Sequence, residues 1–243
     1  MEWNRARGYF YGVLLGDGHI NYTRRSLEHA ADPSNRRGPM LMLKVADYDF
    51  ISAWRDAIKE ITGFDYKISK HNPGTGEFGK RQQYKLRVSQ QELVHDAEEL
   101  TSHKTRIPDG IRSADRETKN AFVTGLMDSE GWINCYLSTI KQCDMTLGFA
   151  CADPWLDDFY SLVQSLGVLT SKIYTRKPTK KKNGEDAKTI RLFKLDIPSY
   201  INAGLGFTIK RKSDRLAFCS HILNDYTRDY PRYEDYYRIE DIV

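Results

Sequence analysis

Two nine-residue segments of this chain are versions of each other: FYGVLLGDG at Phe10–Gly18 and VTGLMDSEG at Val123–Gly131. Each has a glycine at its third position, apolar residues after it, then an acid directly before a closing glycine. Gly12 and Gly125 are 113 residues apart, and so are Asp17 and Glu130. An apolar helix that recurs at a fixed offset and ends in a lone acid predicts a pseudo-twofold protein with two carboxylates brought together at its own axis. Gly12 with Gly16, and Gly125 with Ser129, fall four apart and hence on one helical face, where small residues let two backbones approach. A carboxylate at a helix C-terminus opposes the helix dipole, and two facing carboxylates repel. A hard divalent cation among oxygen ligands, such as Mg²⁺, relieves both.

The repeat continues beyond the motifs. LMLKVADYDFISAW from Leu41 matches LGFACADPWLDDFY from Leu147 at an offset of 106. In both, an alternating strand pattern meets an aspartate and a helical pattern begins, so Asp47 and Asp153 are expected N-caps and Pro154 the first helical residue. YKIS at 66–69 pairs with SKIY at 171–174, and YKLRVS at 84–89 with FKLDIP at 193–198, the latter at an offset of 109. Between these strands, HNPGTGEFGKRQ and KPTKKKNGEDAK read as hairpin loops. The expected architecture is α+β, two pseudo-symmetric halves each running helix, two strands, helix, two strands, helix. The first repeat is assigned to 1–104, a linker to 105–118, and the second repeat, with its tyrosine-rich C-terminal tail, to 119–243.

At 243 residues the chain has room for two such halves. The net charge of +4 is too small to identify a polyanionic partner by itself. No apolar run reaches the ~18–20 residues of a membrane span, and the N-terminus shows no signal-peptide pattern, so a soluble, intracellular protein is expected. The four cysteines lack the close pairing of a zinc site and are expected to be free thiols in a reducing compartment.

The paired motifs resemble the signature of the LAGLIDADG homing endonucleases in their single-chain, two-repeat form, and the resemblance covers nearly the whole chain. It implies that the motif helices pack as the inter-repeat interface and that two antiparallel sheets straddle DNA. It also implies that the last acid of each motif, Asp17 and Glu130, binds the catalytic metal, with the carbonyls of Gly16 and Ser129 as backbone ligands. The cofactor would be Mg²⁺ or another divalent cation such as Mn²⁺. Leu15 departs from the family pattern where many motifs carry an acid, which Asp128 keeps in the second copy. A basic residue near each metal site is implied too: Lys104 in SHKTRIP and Lys210 in GFTIKRKSD, with Lys212 an alternative because the register across KRK is ambiguous.

Alternation along the strands sorts the groove-facing candidates. In the first half these are His19, Asn21, Thr23, Arg25, Lys44, Lys67, Ser69, Gln83, Lys85 and Arg87. In the second they are Asn134, Tyr136, Ser138, Lys172, Tyr174, Arg176 and Lys194. Such side chains suit base edges and phosphates in a major groove. The expected function is therefore metal-dependent, site-specific double-strand cleavage of DNA at a long pseudo-palindromic target, by a monomer. The alternative on the same scaffold is an RNA-splicing maturase, with an intron RNA as partner, or a non-cleaving DNA-binding regulator. No splicing-type residues flank the fold, which favours an intron-encoded or free-standing enzyme over an excised intein.

Overall fold

The computed structural model describes residues 2–22, 38–71, 81–139, 142–176 and 189–225, with 137–139, 142–144 and 224–225 by backbone alone. Thr23, Arg25 and the tyrosine-rich tail lie outside these residues, and so does the Ser138 side chain. The chain divides into two compact units, Met1–Ser129 and Glu130–Val243.

The first unit opens with α1 (Arg5–Leu15), β1 (His19–Asn21), β2 (Met40–Val45), α2 (Tyr48–Thr62), β3 (Ser69–His71), β4 (Gln83–Val88) and α3 (Gln91–Thr101). A short helix α4 (Asp109–Ser113), inside the segment expected as linker, precedes α5 (Arg116–Glu130). The second unit follows with β5 (Gly131–Thr139), β6 (Gln142–Cys151), α6 (Leu156–Ser165), β7 (Tyr174–Arg176), β8 (Ile190–Leu195), α7 (Ile197–Asn202) and α8 (Lys210–Asp225). The αββαββα order expected from the sequence is present twice. The two four-stranded antiparallel sheets share one topology, β1-β2-β4-β3 and β5-β6-β8-β7.

Alternation buries one face of each sheet under helices. In the first unit Leu41, Leu43, Leu86 and Val88 are at or near zero exposure, beneath Phe50, Ile51, Trp54 and Ile58 of α2. The amphipathic pattern of α2 supplies that layer. Trp54 stacks on Phe10 of α1 at 5.8 Å and donates its indole N–H to the Phe10 carbonyl. Gly63, at φ +76°, ends α2 with a left-handed turn and bonds the Lys59 carbonyl, a conformation that glycine adopts without strain. In the second unit an aromatic cluster of Phe149, Trp155, Phe159 and Phe193 fills the equivalent layer.

Two local expectations are corrected. Helix α6 begins at Leu156 with Trp155 as its N-cap, so Asp153 and Pro154 belong to the preceding turn. Burial of the Trp155 indole between Phe149 and Phe159 sets that start. The hydrogen-bond register also replaces the offset of 109 read for the last strand pair. Leu43 pairs with Leu86 and Phe149 with Phe193, so Leu86 corresponds to Phe193 at an offset of 107. The slip is two residues, which leaves every side chain on the face assigned to it.

Candidate active site and nucleic-acid interface

The motif helices meet through their backbones. A Cβ on Gly8 would overlap the Thr118 carbonyl, and one on Gly12 would overlap that of Phe122. From the other side, a Cβ on Gly125 would stand 2.7 Å from the Tyr9 carbonyl. On α1, Gly8 and Gly12 both make this close approach. Gly8 was legible as another glycine four residues back on the same face. Gly16 instead caps α1, its N–H bonding the Gly12 carbonyl, and Ser129 turns its hydroxyl onto the Gly125 carbonyl at 3.0 Å. The departure at Leu15 is structural: Leu15 is buried, while its counterpart Asp128 is buried with the Tyr9 hydroxyl donating to it at 3.0 Å.

Beyond α1 the chain turns tightly. Gly18 donates its N–H to the Val13 carbonyl, and a Cβ there would press on the Leu14 backbone. Packing Gly18 against the helix end leaves Asp17 exposed. Lys104 then reaches the same turn, donating to the carbonyls of Gly16 at 2.8 Å and Gly18 at 2.6 Å. An ammonium at the C-terminal end of a helix complements the dipole that a lone acid opposes.

The second motif likewise sets an acid before a glycine whose carbonyl accepts from a lysine. Glu130, half-buried, is followed by Gly131, whose carbonyl accepts from Lys212 at 2.7 Å. Gly131 corresponds to Gly18, so the counterpart of Lys104 is Lys212. Lys210, the expected candidate, is largely exposed and ion-paired with Asp214 one helical turn on, at 2.6 Å. Lys212 is 6% exposed and its ammonium lies 5.5 Å over the Phe207 ring. The first turn of α8 sends residues 210 and 212 to different sides, and only one side faces β5.

Lys104 is carried on an unusual turn. Ser102, His103 and Lys104 all have positive φ, at 44°, 55° and 70°. Left-handed non-glycine residues cost about 1–2 kcal/mol each, so three in succession must be held by their surroundings. Thr101 accepts the Lys104 backbone N–H at 3.0 Å, and the Tyr22 hydroxyl contacts both the Glu98 carboxylate and His103 Nδ1. Tyr22 directly follows β1, so the end of that strand and the lysine turn are clasped together. Burial and the Glu98 contact push the Tyr22 phenol up to about 12.

Among the described residues, no group of three or more His, Cys, Asp or Glu side chains could hold a metal ion together. The donor set at each motif is one carboxylate with backbone carbonyls, hard oxygens of the kind Mg²⁺ and Mn²⁺ accept, with the remaining ligands left to water or phosphate. Cys135, Cys151 and Cys219 are in no disulfide, and burial pushes the Cys151 thiol up to about 12.

The strand registers fix what each sheet presents opposite its core. His19 pairs with Met42 and Met42 with Arg87, while Lys44 pairs with Lys85 and Lys85 with Ser69. Asn21, Gln83 and His71 complete that face. Lys67 lies just before β3 and is exposed, outside the sheet proper. The face is cationic enough to perturb itself. The Lys44 ammonium, ahead of burial, Lys85 and Arg87, holds His71 below the usual imidazole range. Burial, then Arg87 and Lys44, lowers Lys85. In the second sheet Trp132, Gly148 and Lys194 stand in one row and Asn134 beside Thr146 in the next, with Tyr136, Tyr174 and Arg176 farther along the same face. The Trp132 ring lies over Gly148 and fills the space a side chain would take. Lys172 precedes β7 and is exposed.

The chain is similar to solved structures of homing endonucleases. A structure of mesophilic variants of the homing endonuclease I-DmoI matches with a TM-score of 0.50 and 17% identity, over 82% of this chain and 92% of that one. The homing endonuclease I-WcaI bound to its DNA recognition sequence matches at 0.51 and 11% identity, over 87% of each chain. The fold is that of the LAGLIDADG homing endonucleases. I-DmoI in complex with DNA and Mn also matches, at 0.50 and 18% identity over 82% of this chain and 93% of that one. No family profile and no curated protein matches the sequence. At such low identity the likeness to homing endonucleases is one of fold, and the site has to be read from its own residues. No helix among the described residues is long and apolar enough to cross a membrane.

Proposed function

We propose that this chain is a metal-dependent, site-specific endonuclease of double-stranded DNA, acting as a monomer because both repeats are already in one chain. One observation carries the reading: in each repeat an acid is followed by a glycine whose carbonyl is held by a lysine brought from far along the sequence, Lys104 on Gly18 and Lys212 on Gly131. The DNA-bound homing endonuclease structures with this fold, and the Mn in that of I-DmoI, support the same substrate and a divalent metal.

Asp17 with the Gly16 carbonyl, and Glu130 with the Ser129 carbonyl, would hold the metal, Mg²⁺ or Mn²⁺. A carbonyl has two lone pairs, so the Lys104 bond to Gly16 leaves one for a cation. When bound, the metal supplies Lewis-acid stabilisation of phosphate oxygens and a more acidic water. The protein's own residues do the rest. The Lys104 and Lys212 ammonium groups fix the turns that aim each carboxylate and place positive charge where a phosphate gains negative charge. The two sheet faces hold the duplex, with Lys44, Lys85, Arg87, Lys194 and Arg176 on phosphates and His19, Asn21, Ser69, Gln83, Asn134, Tyr136 and Tyr174 available to base edges. Lys67 and Lys172 extend the basic margin.

The test is incubation with a randomised duplex library in Mg²⁺ or Mn²⁺ and sequencing of the cut ends. A defined, roughly two-part consensus supports the reading. Selective binding with no cleavage in either metal would make the protein a non-cleaving regulator. The lysine assignment has its own expected outcome. Lys104→Met and Lys212→Met each slow cleavage about 10²–10³-fold and leave nicked circles from supercoiled plasmid, each on a different strand. Lys210→Met cuts within about twofold of the parent rate, as loss of an exposed ion pair implies. A large effect from Lys210→Met with none from Lys212→Met would reverse the assignment.

A further inference from the structure

The corrected registers show that the two sheets, alike in topology, present different chemistry. On the first, Lys44 and Lys85 pair across β2 and β4, with Gln83 near the end of the same face. Their counterparts on the second are Ala150, paired with Leu192, and Ile190. Three polar or charged positions have become apolar together, and Gly148 stands where the first sheet has Met42. This is not a second core face. The opposite side of the sheet holds the buried Ile133, Leu147, Phe149, Phe193 and Leu195, while Ile190 is 39% exposed and Tyr174, across from Leu192, 54% exposed.

An apolar centre of exposed Ile190 with half-buried Ala150 and Leu192, ringed by Lys194, Arg176 and Asn134, has the charge pattern of a surface that meets a polyanion at its margin and something apolar at its middle. Base edges in the major groove offer one apolar group, the C5-methyl of thymine. We propose that the second sheet reads its half of the target through thymine methyl groups on Ala150, Ile190 and Leu192, whereas the first reads its half through charge and hydrogen bonds. This rests on the DNA-binding reading above and adds what that reading lacks, the base chemistry selected by one half. The half-site under the second sheet is then rich in A·T pairs, and the other half carries most of the salt dependence.

The experiment uses the tightest duplex recovered from the library, with binding measured without divalent metal so that neither strand is cut. Thymines are replaced by deoxyuridine in one half at a time, which removes only the methyl groups. Replacement in one half weakens binding about threefold to fourfold for each contacted methyl, the loss expected from one buried methyl group, and replacement in the other half changes nothing. Leu192→Ser combined with Ile190→Ser and Ala150→Ser, which removes every proposed apolar contact, abolishes the deoxyuridine response, and its remaining affinity for the fully substituted duplex shows that the variant is folded. Lys85→Met weakens binding to every duplex but keeps the response. Equal losses in both halves, or a response that survives in the triple serine variant, overturn the proposal. Binding with no response in either half, as a protein-docking face would give, overturns this proposal alone. Absence of duplex binding overturns it together with the nuclease reading.

Discussion

Asp17→Asn combined with Glu130→Gln leaves the chain bound to its duplex and unable to cut it. Affinity for DNA comes mainly from phosphate and groove contacts, which in the proposed function the basic face of Lys44, Lys85 and Arg87 would supply independently of either acid. Neutral amides keep the size of the side chains but are poor ligands for a hard cation. Cleavage in Mg²⁺ falls by at least about a thousandfold, while the dissociation constant changes by no more than a few-fold. Single-turnover cleavage and fluorescence anisotropy on the same preparation separate the two quantities. Robust cutting by the purified double variant in Mg²⁺ would sink the assignment of both carboxylates.

The second large effect concerns stability. Gly12→Ala destabilises the fold by about 3 kcal/mol, the upper part of the range for overpacked sites. Helix propensity alone predicts the opposite sign, a gain of about 1 kcal/mol from replacing glycine inside a helix. Sterics decide because the added carbon would meet the Phe122 carbonyl and the Leu126 backbone nitrogen, and main-chain atoms of a packed helix cannot rotate away. Gly125→Ala, facing the Tyr9 carbonyl and the Val13 backbone nitrogen, behaves alike. Gly206→Ala is the control: a Cβ there has nothing within 4 Å, and the change stays within about 0.5 kcal/mol. Urea midpoints compared at unchanged slope measure all three. A stabilised Gly12→Ala protein would show that α1 and α5 do not pack through their backbones.

The fold was legible because it is written twice. One amphipathic segment before a strand pair is ambiguous, but two at matching offsets constrain each other, and the αββαββα order follows. Face assignments were equally legible, since alternation survives a two-residue error in register. That error has a cause: aligning Lys85 with Lys194 matched residue type, whereas the hydrogen bonds place Arg87 opposite Met42 as they place Lys194 opposite Gly148. Lys210 and Lys212 were not separable in the sequence on similar ground, because a regular offset cannot report which side of a helix faces a strand; the structure puts Lys212 on the Gly131 carbonyl. The left-handed turn at Ser102–Lys104 left no trace in the sequence, because such turns are signalled by glycine and none is present. Trp155 as a helix cap was hidden likewise, since its position is set by the aromatic cluster it enters and not by local preference.

The two motifs differ in how they hand the chain on. After α1 come Gly16, Asp17 and Gly18 before β1 starts, whereas α5 ends on Glu130 and β5 begins at the next residue. In the second repeat the carboxylate therefore sits at the fulcrum of a lever with no slack. Trp132 and Asn134, two and four residues along, are on the long arm, and a duplex that moves them moves the acid. In the first repeat two glycines act as a slipping joint, and Lys104 has to grip that joint through both carbonyls. Under the proposed function, one half of the protein is thus mechanically coupled to the groove it would read, and the other is indexed by a lysine latch.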